Sequence, residues 1–330
     1  MKVQELRNLL KSVDKLTLEK MCVELYKQIP RQKKENDIDP LLTDMAANQG
    51  TIAKKPSKPV DAPVDITVLK SEIDTFLENA YAQNYFAPNR VISKKERPKW
   101  RFIVKRYIKE LEGIKPDDED YAASGQLLKK LFNVLSYACS YYLFSTENPF
   151  NSVGISQLYL YNMVLERVFS SGYTQSNIKE MLSTVTSCGI DPEVWRIQLL
   201  AVFVDALRSK EALELALKCT HELVSEIGIP AKSKKNRSYK ISSQIEYLCD
   251  IALWLGQALG SLETEIDFYC KVLQCERTDA FVTVLDFIEC TDNNAMWLSF
   301  YEQASKACEL PPRLQKSYNY LKGESYDNIH

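Results

Sequence analysis

Apolar residues recur at spacings of three and four along most of the chain. Val3, Leu6, Leu9 and Leu10 share one helical face, and Leu16, Leu18, Met21, Cys22, Leu25 and Tyr26 form a second stripe. The two stripes predict a helical hairpin within residues 1–36. Ser12-Val13-Asp14-Lys15 breaks it, Thr17 is the expected cap of its second helix, and Pro30 ends it. From Ile66 onward the same period predicts helices over about 66–83, 98–112, 118–144, 155–170, 174–187, 191–208, 210–226, 239–259, 262–275, 278–289 and 293–308. Thr174, Asp191 and Thr278 are the expected caps, and Gly172, Gly189, Gly228 and Gly260 the expected stops. No segment alternates with a period of two between hairpin turns, so no sheet is predicted.

Several of these helices are apolar nearly all round: Leu158 to Phe169, Val194 to Leu207 and Ile251 to Leu259. Such helices need cover on more than one side. The expected fold is therefore all-α, either a multi-helix bundle or an irregular, HEAT-like helix-pair solenoid, over residues 66–330. Between the hairpin and this domain, residues 37–65 change character. Lys54-Lys55-Pro56-Ser57-Lys58-Pro59-Val60-Asp61-Ala62-Pro63 forbids a helix and reads as a linker.

Composition narrows the chemistry. Ten glycines and two histidines in 330 residues disfavour phosphate-cradling loops and remove the commonest metal ligand and acid–base group. No Walker, dinucleotide, nucleophile-elbow or zincin motif is present. The nine cysteines form no C-x-x-C pair and read as small buried thiols in a reducing compartment. No catalytic residue, metal ligand or cofactor is assigned. The opening residues carry charges and no signal-peptide core, and no apolar run is long enough to span a bilayer, so a cytoplasmic protein is expected.

Charge changes the picture more. The formal net charge of −2 is a cancellation: residues 241–330 hold six basic residues against fourteen acids, a net of −8. The basic counterweight lies upstream. Arg90, Lys94, Lys95, Arg97, Lys99, Arg101, Lys105, Arg106 and Lys109 face one acid, Glu96, in the stretch 90–109. At 100° per residue, Trp100, Ile103, Val104, Tyr107, Ile108 and Leu111 fall on one side and Arg101, Lys105, Arg106 and Lys109 on the other, with Phe102 among the cations. A basic stripe holding an aromatic ring suits an anionic partner. The competing reading is a solvated face, its lysines paired with Asp117-Asp118-Glu119-Asp120 and Phe102 covered by a neighbouring helix. A second basic stretch, Lys232, Lys234, Lys235, Arg237 and Lys240, is expected in a loop after Gly228 and Pro230, with a solvated connection as the competing reading.

Other candidates are weaker. Glu166, Asp250 and Asp286 sit inside apolar runs, where burial would raise their pKa and mark a site; exposed helix edges are the competing reading. Cys219 and His221 are two apart and do not share a helical face, so they do not form a nucleophile–base pair.

Two segments carry a resemblance. Glu5-Leu6-Arg7-Asn8-Leu9-Leu10 with Leu18-Glu19-Lys20-Met21-Cys22-Val23-Glu24-Leu25-Tyr26-Lys27 is one; Arg97-Pro98-Lys99-Trp100-Arg101-Phe102 continuing to Tyr107-Ile108-Lys109-Glu110-Leu111 is the other. Together they resemble a group of uncharacterised bacterial all-helical proteins. The resemblance implies bacterial origin and an all-helical fold, and it carries no activity and no site residue. The opening hairpin is also similar to the two-helix SAP DNA-binding module, from which it departs by lacking the glycine between the helices. The expected function is a non-catalytic helical scaffold that binds a protein partner. A nucleic-acid-associated protein using the 90–109 stretch is the alternative, and an enzyme with an unrecognised site a further one; the oligomeric state is open.

Overall fold

In the computed structural model the described residues are 10, 13–29, 38–39, 42–43, 65–228, 239–291 and 293–323. The first hairpin helix, the proline-containing linker and the loop carrying Lys232, Lys234, Lys235 and Arg237 lie outside them. The described residues form fourteen α-helices and no strand. The chain divides into two compact units, Met1–Pro63 and Val64–His330.

In the first unit, α1 spans Lys15–Lys27. Asp14, not Thr17, is its cap: the Asp14 carboxylate accepts from the Thr17 amide at 3.0 Å and from its hydroxyl at 2.7 Å. An exposed Asp here outcompetes the Thr because it can take both donors. Leu16, Val23 and Leu25 of α1 are exposed.

The second unit is a multi-helix bundle. Its elements are α2 (Ile66–Tyr81), α3 (Trp100–Glu112), α4 (Tyr121–Ala138), α5 (Pro149–Val153), α6 (Gln157–Val168), α7 (Gln175–Ser187) and α8 (Arg196–Asp205). They continue with α9 (Lys210–Gly228), α10 (Tyr239–Leu259), α11 (Leu262–Leu273), α12 (Arg277–Cys290), α13 (Asn294–Ala307) and α14 (Pro312–Lys322). Two helices organise the packing. α4 touches α2, α3, α5 and α6, and α10 touches α7, α8, α9, α11 and α12. Accordingly Ile251 to Gly256 of α10 are all buried, as an all-round apolar helix requires. Gly172, Gly228 and Gly260 fall at helix ends. Thr174 caps α7, its hydroxyl accepting from the Asn177 amide at 3.1 Å.

The structure departs from periodicity in four places. The helix expected over 118–144 stops at Ala138. Its apolar run continues because Leu143 and Phe144 are buried within the connection that follows. The helix expected from Asp191 starts at Arg196. The Asp191 carboxylate takes the Glu193 amide two residues on, at 2.9 Å, which closes a turn instead of a helix. Gly189 is more than a stop: a Cβ there would collide with the Ser136 carbonyl, so the chain passes α4 at backbone contact. At α12 the cap is Glu276, whose amide donates to the Asp279 carboxylate at 3.2 Å, and Thr278 lies inside the helix. Helices α5 and α14 have no expected counterpart.

Candidate functional site: the outer face of α3

Helix α3 is fixed along its length on one side. Trp100, Val104, Tyr107, Ile108 and Leu111 are buried. The Trp100 ring stacks on Phe144 with centroids 3.9 Å apart and planes 11° apart, which seats the first turn. In the middle, Arg106 reaches Glu72 of α2 at 2.5 Å and Glu110 at 3.6 Å. At the end, the buried Arg167 of α6 donates to the carbonyls of Leu111 at 3.1 Å and Glu112 at 3.4 Å. Its Nε donates to the Ser124 hydroxyl at 2.9 Å, and its guanidinium lies 4.7 Å from the Tyr121 ring centre. Arg167 thus satisfies carbonyls that the C-terminus of α3 leaves open. Gly125 makes room for it, since a Cβ at that position would sit 2.7 Å from the Arg167 Cβ.

The other side of α3 is open. Arg101, Lys105 and Lys109 repeat every fourth residue, and Phe102 lies beside them with 60% of its surface exposed. The Arg101 guanidinium sits 4.9 Å from the Phe102 ring centre. None of the three cations has a carboxylate within ion-pair distance among the described residues. Among the described residues the acidic run 117–120 does not reach these cations and no helix covers Phe102, so the face is solvated but not paired.

Three other basic residues of the stretch have other work. The Arg97 Nε donates to the Ile92 carbonyl at 2.9 Å and shapes the approach to α3. Lys99 pairs with Glu96 at 2.7 Å. Arg106 is neutralised by two acids. The stripe is narrower than the sequence implies, and its limits are set by Glu72, 34 residues upstream, which no local pattern reveals. Beyond the Arg106–Glu72 bridge, α2 and α3 enclose a groove of about 430 Å3 lined by Val68, Phe76, Ile103 and Tyr107 among others.

The isolated carboxylates part company. Glu166 is exposed and accepts from Asn162 at 3.0 Å. Asp286 is half-buried and pairs with Arg313 at 3.2 Å. Asp250 is the perturbed one. Burial, then the nearby Glu246 and Asp286, push its carboxyl up to about 8, against a hydrogen bond from Tyr269 that works the other way. Asp250 does not line the groove between α2 and α3. His221 meets no thiol: its Nε2 lies 2.7 Å from the buried Glu265 carboxylate, and its ring packs on Phe268. No disulfide links the nine cysteines.

Among the described residues no cluster of His, Cys, Asp and Glu could hold a metal ion, and no helix is long and apolar enough to cross a membrane. No protein-family model, curated protein or solved structure matches the chain.

Proposed function

We propose that the protein is a cytoplasmic, non-catalytic helical scaffold whose α3 face takes an acidic segment of a protein partner. The observation that carries this reading is Phe102, exposed on a rigid helix and flanked by the unpaired Arg101, Lys105 and Lys109. Burying such a ring contributes roughly 2 kcal/mol, and the cations steer and orient an acidic chain around it. Three cations within nine residues are a small footprint for a polyanion but match two or three carboxylates on one face of a partner helix. The bacterial origin implied by the resemblance belongs with this reading.

Panning a random peptide library against the wild type, with Phe102→Ala as the counter-selected protein, tests it. Enrichment of acidic peptides carrying an apolar anchor, lost in Arg101→Glu/Lys105→Glu, is expected. No enrichment, or enrichment without acidic character, overturns the reading. Oligonucleotide binding that falls steeply with salt, survives Phe102→Ala and disappears in the charge reversal replaces the partner protein by nucleic acid.

A further inference from the structure

The chain turns from α11 into α12 through a reversal that brings two thiols together. Cys270 lies in the last turn of α11, and Gln274 follows the helix in the left-handed region at φ 56°. Beyond a left-handed residue at a helix end, the next side chain folds back onto the one five positions earlier. Here those two side chains are Cys275 and Cys270, and they hydrogen-bond one another. A glutamine in the left-handed region is strained and persists only where its surroundings hold it. The holding group is Arg277, the first residue of α12, which pairs with Asp267 at 2.7 Å and with Glu263, both on α11. Cys275 is thus pinned between the end of α11 before it and the Arg277 pairs after it. Two sulfurs already in contact across a fixed turn need little backbone movement to join.

The two thiols are also reachable and unequal. Both are half-buried and free. Burial, then the Cys270 sulfur and Asp279, push the Cys275 thiol up to about 11. The thiolate is the nucleophile, so Cys275 is the poorer first attacker and suits the second step. Cys249 of α10 is also near enough to act on Cys275, but it is buried and its own thiol is held far up by that burial.

We propose that Cys270 and Cys275 are a redox pair, which a hydroperoxide oxidises to a disulfide that staples the α11–α12 reversal and a dithiol reductant reopens. With hydrogen peroxide, the Cys270 thiolate attacks one oxygen. The O–O bond breaks, a sulfenic acid forms on Cys270, and the released hydroxide takes the proton that Cys270 gave up and leaves as water. The Cys275 sulfur then attacks the Cys270 sulfur. The S–O bond breaks, the S–S bond forms, and the hydroxide leaves with the Cys275 proton as a second water. The two thiols lose two electrons and the peroxide gains them. In a reducing compartment such a bond is transient, which is the behaviour of a sensor and not of a permanent brace.

Titration of the reduced full chain with hydrogen peroxide, followed by alkylation of the remaining thiols, trypsin digestion and mass spectrometry, tests this. Trypsin cuts after Lys271 and parts Cys270 from Cys275, so their disulfide joins two otherwise separate peptides. That joined pair is expected as the first intramolecular disulfide, lighter by two hydrogens than its parts, and dithiothreitol is expected to separate it. Fragmentation is expected to place the link on Cys270, since Cys249 shares its tryptic peptide. Cys275→Ser is expected to leave a sulfenic acid on Cys270 that dimedone captures, and Cys270→Ser to leave Cys275 a thiol. Amide exchange over residues 271–276 is expected to slow on oxidation. A first link at Cys249 or any other cysteine overturns the proposal. So does the absence of a link where single thiols have already become acids, or exchange that oxidation leaves unchanged.

Discussion

Two lysine-bearing helix surfaces of the second unit treat their charges in opposite ways. Between α7 and α9, Lys179 reaches Glu222 at 2.9 Å and Glu226 at 2.7 Å, and Gln175 donates to Glu222 at 2.7 Å. Hydrogen bonds donated to Glu226 and Glu222 hold the Lys179 ammonium well above its usual pKa, and Lys179 in turn holds Glu222 below its own. On α3, Arg101, Lys105 and Lys109 face no acid among the described residues. Both surfaces present lysine on a helix that packs against a neighbouring helix. The difference lies in the neighbour. α9 carries Glu222 and Glu226 one turn apart and opposite α7, whereas α2 offers α3 a single acid, Glu72, which Arg106 takes. A paired surface fastens one helix to another; an unpaired one is left for something else to meet.

Asp250 breaks this two-way division and carries the largest expected effect. Its surroundings expel its charge instead of pairing it. An unfolded Asp titrates near 4, whereas the folded group holds its proton up to about 8. The folded state therefore binds more protons between these values, and stability falls as pH rises through that window. At about 1.4 kcal/mol per pH unit, the loss between pH 5 and pH 8 reaches roughly 4 kcal/mol. Chemical denaturation at a series of pH values is expected to show that decline, and Asp250→Asn to flatten it and to exceed the wild type at pH 8. A wild type equally stable at both ends would mean that the Asp250 carboxyl is solvated.

The unpaired face depends on a buried charge behind it. Arg167→Met removes the donor to the Leu111 and Glu112 carbonyls and to Ser124 while keeping most of the side-chain volume. Leaving those acceptors unmet is expected to cost about 3 kcal/mol in denaturant midpoint measurements. Amide exchange is expected to rise first in the last turn of α3. A cost below about 0.5 kcal/mol would show that α3 stands without this anchor.

The bundle was legible because its signals are local. Apolar residues all round α10, the Thr174 cap and glycines at helix ends need only a few neighbouring residues to be read. The errors arise where a local signal has a distant cause. Leu143 and Phe144 extend an apolar run, yet they are buried by packing against other elements after α4 has ended. α14 buries only Leu314 fully, and its apolar stripe of Leu314, Tyr318 and Leu321 is three residues long, too short to stand out. The same limit governs the site. The basic stretch is visible at once, and Lys99 and Arg106 have partners at helical spacing in Glu96 and Glu110, but Glu72, 34 residues upstream, is brought to Arg106 only by the fold. Arg167 reads as a charge beside Glu166, and its capping of α3 becomes visible only once α6 crosses α4.

The smallest effects separate the two surfaces most sharply. Arg101→Glu/Lys105→Glu places acids where no partner exists, so its stability is expected to stay within about 0.5 kcal/mol of the wild type. Its whole effect is expected in binding. Lys179→Met acts in the opposite sense: it removes no exposed binding group but uncouples α7 from Glu222 and Glu226. A small fall in melting temperature is expected at low ionic strength, because exposed pairs contribute modestly and salt screens them. At high ionic strength the Lys179→Met and wild-type curves are expected to converge. The α3 variant is expected to show no such convergence, since it has no pair to screen. If instead the α3 reversal destabilises the fold and does so less as salt rises, these cations have acidic partners in the folded chain, and the contrast between a fastening surface and a free one disappears.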